Sequence, residues 1–490
     1  MRTRKDVWKL AAADQTLVWY ARGIAEMQKR AVTDATSWRY QAAIHDYIPK
    51  EDPLAVPGET LPPGPEQDTY WARCQHGSWF FLPWHRGYLF YFEQIVLKAI
   101  QKLGGPADWA LPYWNYSDTS NPKARCLPPA FWAAKLPDGS PNTLLVKQRA
   151  GGANTGQPLG TVAGAANATC LKKAGFINSS AGGGAGFGGG RTGFSHGGSV
   201  AGACESVPHN TMHGAVGGAS GWMSAFNTAG LDPVFWMHHA NIDRLWEVWR
   251  KRDPKHTNPT VAAWLSSIAF DFHDASGAGV TLKASQVLDT TKPVLDYVYE
   301  DVSDPLAAAA RVAGLPGPVV RTAMATERIP EMVGATDAKQ GISLGRAASS
   351  IQFALQAPTG PAVRDVAAAA PRKVHLNLEN ITAKQRPIES YEVYVNLPEG
   401  AKAAEHPELL AGLLPMFGIV EASRTTREHA GDGVGYSFDI TEIVATLESR
   451  KAWNPAAVRV TFVPDRTEAD RAAVPDTQPV SVGRVSIYYS

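Results

Sequence analysis

The sequence predicts a mainly α domain, built as a helical bundle, followed by a carboxy-terminal β-sandwich. Apolar residues recur at helical spacing in four segments of the first 300 residues, namely 16–30, 36–48, 83–103 and 232–252. Gly104 and Gly105 end the third segment, while Asp232 and Pro233 start the fourth as an N-cap and a first-turn proline. Beyond residue 370 the pattern changes to the alternation of apolar and polar residues that is typical of strands.

The predicted domain boundaries follow from these patterns. The alternation occupies five segments: Val374–Leu378, Tyr391–Leu397, Tyr436–Ile440, Val458–Val463 and Val485–Tyr489. We therefore expect a helical domain over 1–302, an Ala-rich, Pro-interrupted linker over 303–370 and a β-sandwich over 371–490. A Gly-rich insertion at about 150–200 is predicted to be a long flexible loop inside the helical domain.

The composition argues against several classes of function. The 490 residues carry a net charge of +1, which gives no electrostatic reason to expect a nucleic acid partner. No run of eighteen apolar residues occurs, and the first residues lack the apolar core of a secretory signal. We therefore expect a cytoplasmic protein that does not span a membrane, although export by another route stays open. Four cysteines in a chain of this length do not make a disulfide framework.

Two histidine motifs in the second half of the helical domain indicate a metal site. His209 and His213 stand four residues apart, so on a helix they share one face with Cβ atoms about 5–6 Å apart. A later helix carries the adjacent pair His238 and His239, which could supply a third imidazole. Neutral imidazole suits copper, zinc, iron or nickel, so the residue types narrow the choice of metal without fixing it.

Three further histidines, His45, His76 and His85, lie upstream and double the number of candidate ligands. Taken singly, such a histidine is explained as well by a core position or a solvated helix face. Their conjunction favours a pair of three-histidine metal sites, because facing helices hold imidazoles in fixed directions. Other histidines lack this context and are predicted to have no metal role: His196, His256, His273, His375, His406 and His429.

The linked motifs, over residues 16–300, resemble those of the type 3 dicopper proteins: tyrosinases, catechol oxidases and other polyphenol oxidases, and molluscan haemocyanin units. The resemblance implies two copper ions in a dinuclear site, with O2 as co-substrate. It assigns the copper ligands in two groups, the first formed by His45, His76 and His85 and the second by His209, His213 and His239. His238 is left out, because neighbours on a helix point about 100° apart and cannot both face one ion.

The resemblance also implies roles for residues beside the ligands. In tyrosinases that hydroxylate monophenols well, a glutamate and an asparagine hold a water that acts as base, and Glu205 and Asn210 match these positions. The alternative is that Asn210 caps a helix and Glu205 is an ordinary loop acid. Phe226 matches the aromatic that overhangs the second copper in plant catechol oxidases, with a core phenylalanine as the alternative. Gly214 would leave space near the substrate ring.

Two more expectations rest on the resemblance. The spacing of Cys74 and His76 resembles a pattern in which a cysteine sulfur is bonded, as a thioether, to the ring of a copper ligand; a free buried cysteine is the alternative. A trailing β-sandwich in this family often covers the copper entrance and places one side chain in the substrate position. Met416 or Phe417 is the candidate plug in this chain, with a strand edge buried in the sandwich as the alternative.

The predicted function is that of a copper-dependent tyrosinase, which hydroxylates small monophenols and oxidises o-diphenols to o-quinones, and which is latent under its carboxy-terminal domain. A catechol oxidase or o-aminophenol oxidase without strong monophenolase activity is one alternative, and a haemocyanin-like O2 carrier is another. A zinc hydrolase is disfavoured because no His-Glu-x-x-His motif occurs. Asp243 and Arg244, one turn beyond His239, are expected to orient the site. A homo-oligomer stays open.

Overall fold

A helical domain is followed by a carboxy-terminal domain of two antiparallel β-sheets, so the predicted fold class is confirmed. The computed structural model describes residues 1–160, 168–179, 182–197, 200–307, 329–337, 341–356, 373–385, 390–425, 430–465 and 480–490. His429, predicted to have no metal role, lies outside the described residues.

The helical domain is organised around two long helices, α4 and α7. Its helices are α1 (Thr16–Gln28), α2 (Trp38–His45), α3 (Gly64–Tyr70), α4 (Phe81–Lys102), α5 (Thr211–Gly217), α6 (Phe226–Ala229), α7 (Pro233–Arg252) and α8 (Ala262–Leu265). The four predicted helices are confirmed, and Asp232 caps α7 by accepting a hydrogen bond from the Val234 N–H at 2.9 Å. Phe92 of α4 stacks on Trp236 of α7 with ring centroids 3.4 Å apart, which packs the two long helices together. In the described part of the chain, no helix has the length and apolarity needed to cross a membrane.

A buried carboxylate ties the two ends of the helical domain together. Strand β1 (Arg2–Arg4) pairs in parallel with β4 (Tyr297–Tyr299), while β2 (Phe270–His273) and β3 (Gly279–Leu282) form an antiparallel hairpin. Asp243 of α7 accepts hydrogen bonds from the hydroxyls of Tyr297 and Tyr299, each at 2.5 Å, and from Arg86 Nε of α4 at 2.5 Å. Burial alone would raise the pKa of Asp243, but the neighbouring guanidinium groups of Arg86 and Arg4 hold it below its usual value.

The carboxy-terminal domain begins earlier in the chain than the sequence predicts. Its strands are β5 (Glu331–Ala335), β6 (Ile342–Leu344), β7 (Ser349–Phe353), β8 (Val374–Thr382), β9 (Tyr391–Val395), β10 (Leu410–Leu414), β11 (Val434–Asp439), β12 (Val458–Pro464) and β13 (Val480–Tyr489). Two short helices, α9 (Ile419–Ala422) and α10 (Thr441–Ser449), complete it. One sheet has the order β10-β9-β12-β7 and the other β11-β8-β13-β5, with β6 also paired to β13.

All five predicted strands are confirmed, but the predicted linker over 303–370 is wrong in its second half, because it contains β5, β6 and β7. These strands pair with β12 or β13 and are therefore part of the sheets. Each of them buries a single residue, namely Val333, Leu344 or Phe353, so none shows a clear alternation in sequence.

The two domains have separate hydrophobic cores, and the loop after β10 contributes a residue to each. Met416, just after β10, packs in the core of the carboxy-terminal domain. The next residue, Phe417, belongs to the core of the helical domain. This loop therefore places two neighbouring side chains on opposite sides of the domain boundary.

The Gly-rich insertion is irregular, as predicted, but its described part is packed against the helical domain. The Trp79 N–H donates to the Gly190 carbonyl at 2.8 Å, and the His76 N–H donates to the Ser195 carbonyl at 2.9 Å. A Cβ at Gly186 would lie 2.3 Å from the Ile177 carbonyl oxygen, so this glycine permits a close backbone approach. The interpretation as a flexible loop therefore does not hold for residues 182–197.

Candidate dinuclear metal centre

Six buried imidazoles converge at the middle of the helical domain, and each is no more than 3% exposed. They are the residues that the resemblance assigns as copper ligands: His45, His76, His85, His209, His213 and His239. Helix α2, the loop before α4, and α4 itself supply the first three. The helical turn over 205–210, α5 and α7 supply the second three. The site is therefore assembled from segments that are far apart in the chain.

In the second group, the ring nitrogens point at one another. His239 Nε2 lies 3.3 Å from His209 Nε2 and 3.4 Å from His213 Nε2. His213 Nδ1 donates to the Met223 carbonyl at 2.7 Å, and His209 Nδ1 donates to Asn210 Oδ1 at 2.7 Å. A neutral imidazole that donates through Nδ1 presents an unprotonated Nε2, which is the form that binds a metal.

The first group shows the same arrangement over a slightly wider space. Its ring centroids are 5.2 Å apart for His45 and His76, 5.1 Å for His76 and His85, and 5.9 Å for His45 and His85. His45 Nδ1 donates to the Phe226 carbonyl at 2.9 Å, and His85 Nδ1 donates to the Phe81 carbonyl at 2.8 Å. The Nε2 atoms of both rings are buried and have no hydrogen-bond partner among the described residues, and neither do the two ring nitrogens of His76.

Burial makes these six histidines neutral. It lowers the pKa of His45 to about 4 and those of the other five well below the ordinary histidine value. Buried, unpaired lone pairs are costly unless a ligand satisfies them. A set of neutral imidazoles with unprotonated nitrogens fits soft or borderline metal ions such as copper, and it contains no carboxylate that would favour Mg²⁺ or Ca²⁺.

Two phenylalanines that the sequence did not single out fill the space between the two groups. The ring centroid of Phe81 lies 4.7 Å from those of both His85 and His209. The ring centroid of Phe235 lies 4.2 Å from that of His239 and 5.0 Å from that of His45. Each phenylalanine stands four residues before a ligand on the same helix, so the i, i+4 rule was the signal that could have found it. The rings of His85 and His239 stack directly, with centroids 4.5 Å apart, which brings the two groups into contact.

The helical offset predicts that only one of the adjacent residues His238 and His239 can face the second group, and the structure differs. The ring nitrogens of both residues lie within 4.8 Å of those of His209 and His213, so both side chains reach the second group. His238 differs because its Nδ1 is hydrogen-bonded to the Tyr116 hydroxyl at 3.1 Å. The short contacts of His239 Nε2 with two other ring nitrogens keep it as the predicted ligand.

Asp243 and Arg244 do not orient the histidine rings directly. Asp243 makes the buried cluster described above, and Arg244 Nε donates to the Asp301 carbonyl at 2.5 Å. His239 Nδ1 has no hydrogen-bond partner in the described part of the chain. The contacts of both residues fix helix α7, which carries His239, and their role in orienting the site stays a prediction.

Asn210 lies beside the second group, and Glu205 contacts the residue that follows His76 of the first group. Glu205 is 2% exposed, its Oε1 accepts a hydrogen bond from the Gly77 N–H at 2.8 Å, and its Oε2 has no partner among the described residues. Burial raises the pKa of Glu205 to about 8, although the backbone N–H groups of Gly77, Gly202 and Ser78 oppose this rise. Asn210 holds His209 through Oδ1, and its Nδ2 donates to the Tyr436 hydroxyl of the carboxy-terminal domain at 3.3 Å.

Phe226 lies over the first histidine group, and the expected position over the second is wrong. Its ring centroid is 4.3 Å from that of His76 and 5.4 Å from that of His45. The hydrogen bond from His45 to the Phe226 carbonyl ties helix α6 to α2 and explains this position. The ring that covers the second group is Phe417, which stacks on His213 with centroids 3.8 Å apart and planes inclined by 14°.

Gly214 and Met416 both face the domain boundary. A Cβ at Gly214 would lie 3.9 Å from Ser390 Oγ of the carboxy-terminal domain, so the space beside this glycine is covered. Met416 is 8% exposed and packs in the carboxy-terminal core, whereas the neighbouring Phe417 reaches the histidines. Of the two candidate plugs, Phe417 is thus the one that contacts the metal centre.

Cys74 lies beside a histidine for which no role was expected. Its Sγ is 3.2 Å from His196 Nδ1, and His196 Nε2 is 3.4 Å from Asp46 Oδ1. Ring nitrogens of His45 and His76 also lie within 4.8 Å of the sulfur, and Cys74 is a free thiol here, so the thioether to His76 stays a prediction. Spacing could not reveal His196, because it lies in the Gly-rich insertion, 122 residues from Cys74.

Two groups of three neutral imidazoles in a helical domain are compatible with a dinuclear metal site, and comparisons with known proteins show the family. A family described as the common central domain of tyrosinase matches residues 35–252, and a domain of unknown function (DUF7868) matches residues 329–490. Tyrosinase HcTyr1 of Hahella sp. (strain CCB-MM4) is 35% identical over 511 residues, which cover 100% of this chain and 99% of that protein.

More distant relatives are also named polyphenol oxidases or tyrosinases. A chloroplastic polyphenol oxidase of Malus domestica is 28% identical over 241 residues, which cover 47% of this chain and 39% of that protein. The structure of latent apple tyrosinase shares the fold with a TM-score of 0.64 at 22% identity, and the match covers 100% of this chain and 97% of that one.

The chain belongs to the tyrosinase family. It is therefore a type 3 copper oxidase, and the resemblance seen in the sequence is confirmed. The family implies a dinuclear copper site, and the cluster of buried histidines is compatible with it. A phenolic substrate fits the family.

Proposed function

We propose that this protein is a tyrosinase in the full sense: it hydroxylates small monophenols at the ortho carbon, oxidises o-diphenols to o-quinones, and is latent under its carboxy-terminal domain. The two histidine groups would hold one copper ion each. When bound, the copper pair supplies O2 binding and the exchange of electrons with the phenol. The protein side chains supply binding, orientation and proton transfer.

The main support for the proposed hydroxylation of monophenols is the placement of Glu205 and Asn210. A monophenol must lose its proton before it reacts, and a base is most effective when its pKa lies near the working pH. Burial gives Glu205 such a pKa, about 8, and its Oε2 is left without a protein partner among the described residues. A water held by Glu205 Oε2 and Asn210 would receive the phenol proton, while the bond from His209 Nδ1 to Asn210 Oδ1, 2.7 Å long, keeps that ring oriented.

The contacts of Phe417 support latency. Its ring is 5% exposed, stacks on His213 and lies 4.8 Å from the ring of Phe226. An aromatic substrate would need the same space against His213, so substrate and Phe417 exclude each other. The hydroxyl of Tyr436, also from the carboxy-terminal domain, accepts the hydrogen bond of Asn210 Nδ2. Activity would therefore require the loop after β10 to withdraw.

The latency is tested by Phe417→Ala in the full-length, copper-loaded chain, with Phe438→Ala as matched control in the same domain. Loss of one buried phenyl ring weakens docking by about 2 kcal/mol, which raises the open fraction by about 30-fold. We expect a catechol to be oxidised faster by Phe417→Ala and not by Phe438→Ala. Equal rates for Phe417→Ala and the wild type would refute latency through this residue.

The monophenolase activity is tested by Glu205→Gln in the Phe417→Ala background. Tyrosine hydroxylation should fall at least about 100-fold, the usual contribution of a general base, while catechol oxidation stays within about threefold. Copper content, measured on the same samples, must remain two ions per chain. If the Phe417→Ala chain oxidises catechol but does not hydroxylate tyrosine, the result would instead favour a catechol oxidase.

A further inference from the structure

We propose that Glu51 is a specificity residue at the mouth of the site, and that it favours phenols with a cationic side chain over phenols with a carboxylate. The inference rests on the proposed oxidation of phenols and adds the charge of the substrate's side chain. It depends on three observations: the position of Glu51, the cavity that it lines, and the group that the carboxy-terminal domain places against it.

Glu51 is held next to the aromatic border of the metal centre. It ends the short turn Pro49–Glu51, which follows α2. Its Oε2 accepts a hydrogen bond from Asn227 Nδ2 at 3.2 Å. Asn227 directly follows Phe226, whose ring lies 4.3 Å from His76 and 4.8 Å from Phe417. The carboxylate is thus fixed beside the site, although 46% of the Glu51 side chain remains exposed.

A cavity of about 260 Å³ opens at this position between the two domains. From the helical domain it is lined by Glu51 and Ser224. From the carboxy-terminal domain it is lined by Met416 and Gly418, the residues on either side of Phe417, and by further polar side chains. The cavity therefore adjoins the plug, and Glu51 lies on the side of it that the helical domain keeps when the plug withdraws.

The carboxy-terminal domain places a cation against Glu51. Phe417 places an aromatic ring on His213, and Arg424, seven residues later, places its Nη2 3.9 Å from Glu51 Oε1. One segment thus presents an aromatic ring to the histidines and a cation to Glu51. A phenol that carries an aliphatic ammonium group presents the same two features once this segment withdraws, whereas a phenol with a carboxylate would meet a like charge.

The other charged residues that line the cavity belong to the domain that must withdraw. Lys384, Glu421 and Arg424 all follow β8 in the chain, and only Glu51 contributes a charge from the helical domain among the described lining residues. Opening therefore removes two cations and one anion and leaves the carboxylate of Glu51 as the charge that the helical domain contributes to the described lining. A negative group at this place selects for a positive substituent.

The experiment compares Glu51→Gln with Glu442→Gln, an exposed glutamate of α10, both in the full-length, copper-loaded Phe417→Ala chain. The measured quantity is the ratio of kcat/KM for tyramine to kcat/KM for 3-(4-hydroxyphenyl)propionate. We expect Glu51→Gln to lower this ratio about three- to fivefold, the effect of one partly exposed ion pair, mainly through KM. The effect should shrink as ionic strength rises, and Glu442→Gln should leave the ratio unchanged.

Failure of this inference is distinguishable from failure of the proposed function. If both phenols are oxidised but Glu51→Gln and Glu442→Gln give the same ratio, the inference is overturned and the proposed function stands. If chains with two coppers oxidise neither phenol nor a catechol, the proposed function fails and the inference falls with it. If Phe417→Ala does not fold, the same ratio is measured on the wild type and on Glu51→Gln opened by a mild non-ionic detergent.

Discussion

The buried carboxyl group of Glu205 should make the stability of the copper-free protein fall with rising pH. Burial raises its pKa to about 8 from the ordinary value of 4.5. Between these two pH values the folded protein keeps a proton that the unfolded chain has released. Because the unfolded state then binds fewer protons, the stabilising contribution is complete below pH 4.5 and is lost as the pH rises towards 8.

The size of the effect follows from the two pKa values. Their difference, 8 − 4.5 = 3.5 units, corresponds to roughly 5 kcal/mol at 1.36 kcal/mol per unit. This is an upper bound, because water and local relaxation reduce the cost of the buried charge. Gln at position 205 cannot ionise, so Glu205→Gln lacks this pH dependence. The free energy of unfolding of the wild type, relative to Glu205→Gln, should therefore fall by roughly 2–3.5 kcal/mol between pH 5 and pH 8, because part of the titration lies outside this window.

The assay is urea unfolding of the copper-free proteins, followed by tryptophan fluorescence at several pH values between 5 and 8. The histidines titrate in both proteins, so their contribution cancels in the difference. Glu442→Gln, an exposed substitution, should track the wild type at every pH. A difference between wild type and Glu205→Gln that does not change with pH would refute the assignment of a buried, proton-retaining carboxyl. Copper should flatten the slope, because a nearby positive charge favours the carboxylate.

Two other substitutions test the metal centre and its support. His239→Ala should reduce bound copper to at most one ion per chain by metal analysis after dialysis, whereas His238→Ala should retain two; the reverse pattern would exchange the roles of the pair. Asp243→Asn should destabilise the protein by about 3–5 kcal/mol in thermal or urea unfolding, because it removes the buried carboxylate that the guanidinium groups of Arg86 and Arg4 share. An unchanged unfolding midpoint would show that the cluster around Asp243 does not hold the domain together.

The helices that carry the histidines could be predicted because their signals are local, whereas the set of six ligands came from the resemblance to the type 3 dicopper proteins. His209 and His213 stand at the helical i, i+4 spacing. Asp232 and Pro233 mark the start of the helix that carries His239. The strands with strong alternation were found for the same reason. By contrast, the contact of His196 with Cys74 bridges 122 residues through an irregular segment, and no periodicity encodes such a contact.

The identity of the plug shows most clearly where sequence patterns stop being informative. Met416 and Phe417 are both apolar and adjacent, so hydrophobicity alone cannot tell which of them faces the histidines. Both follow the end of β10. Leu414 pairs with Tyr391 of β9, but the pairing shifts by one residue between Leu410 and Gly412, where the strand carries a bulge. Beyond Leu414 the chain leaves the strand and turns through Gly418, whose φ is +81°, into α9. In this turn Met416 packs in the carboxy-terminal core and Phe417 stacks on His213. The plug is therefore set by the path of an irregular turn, which leaves no trace in hydrophobic periodicity.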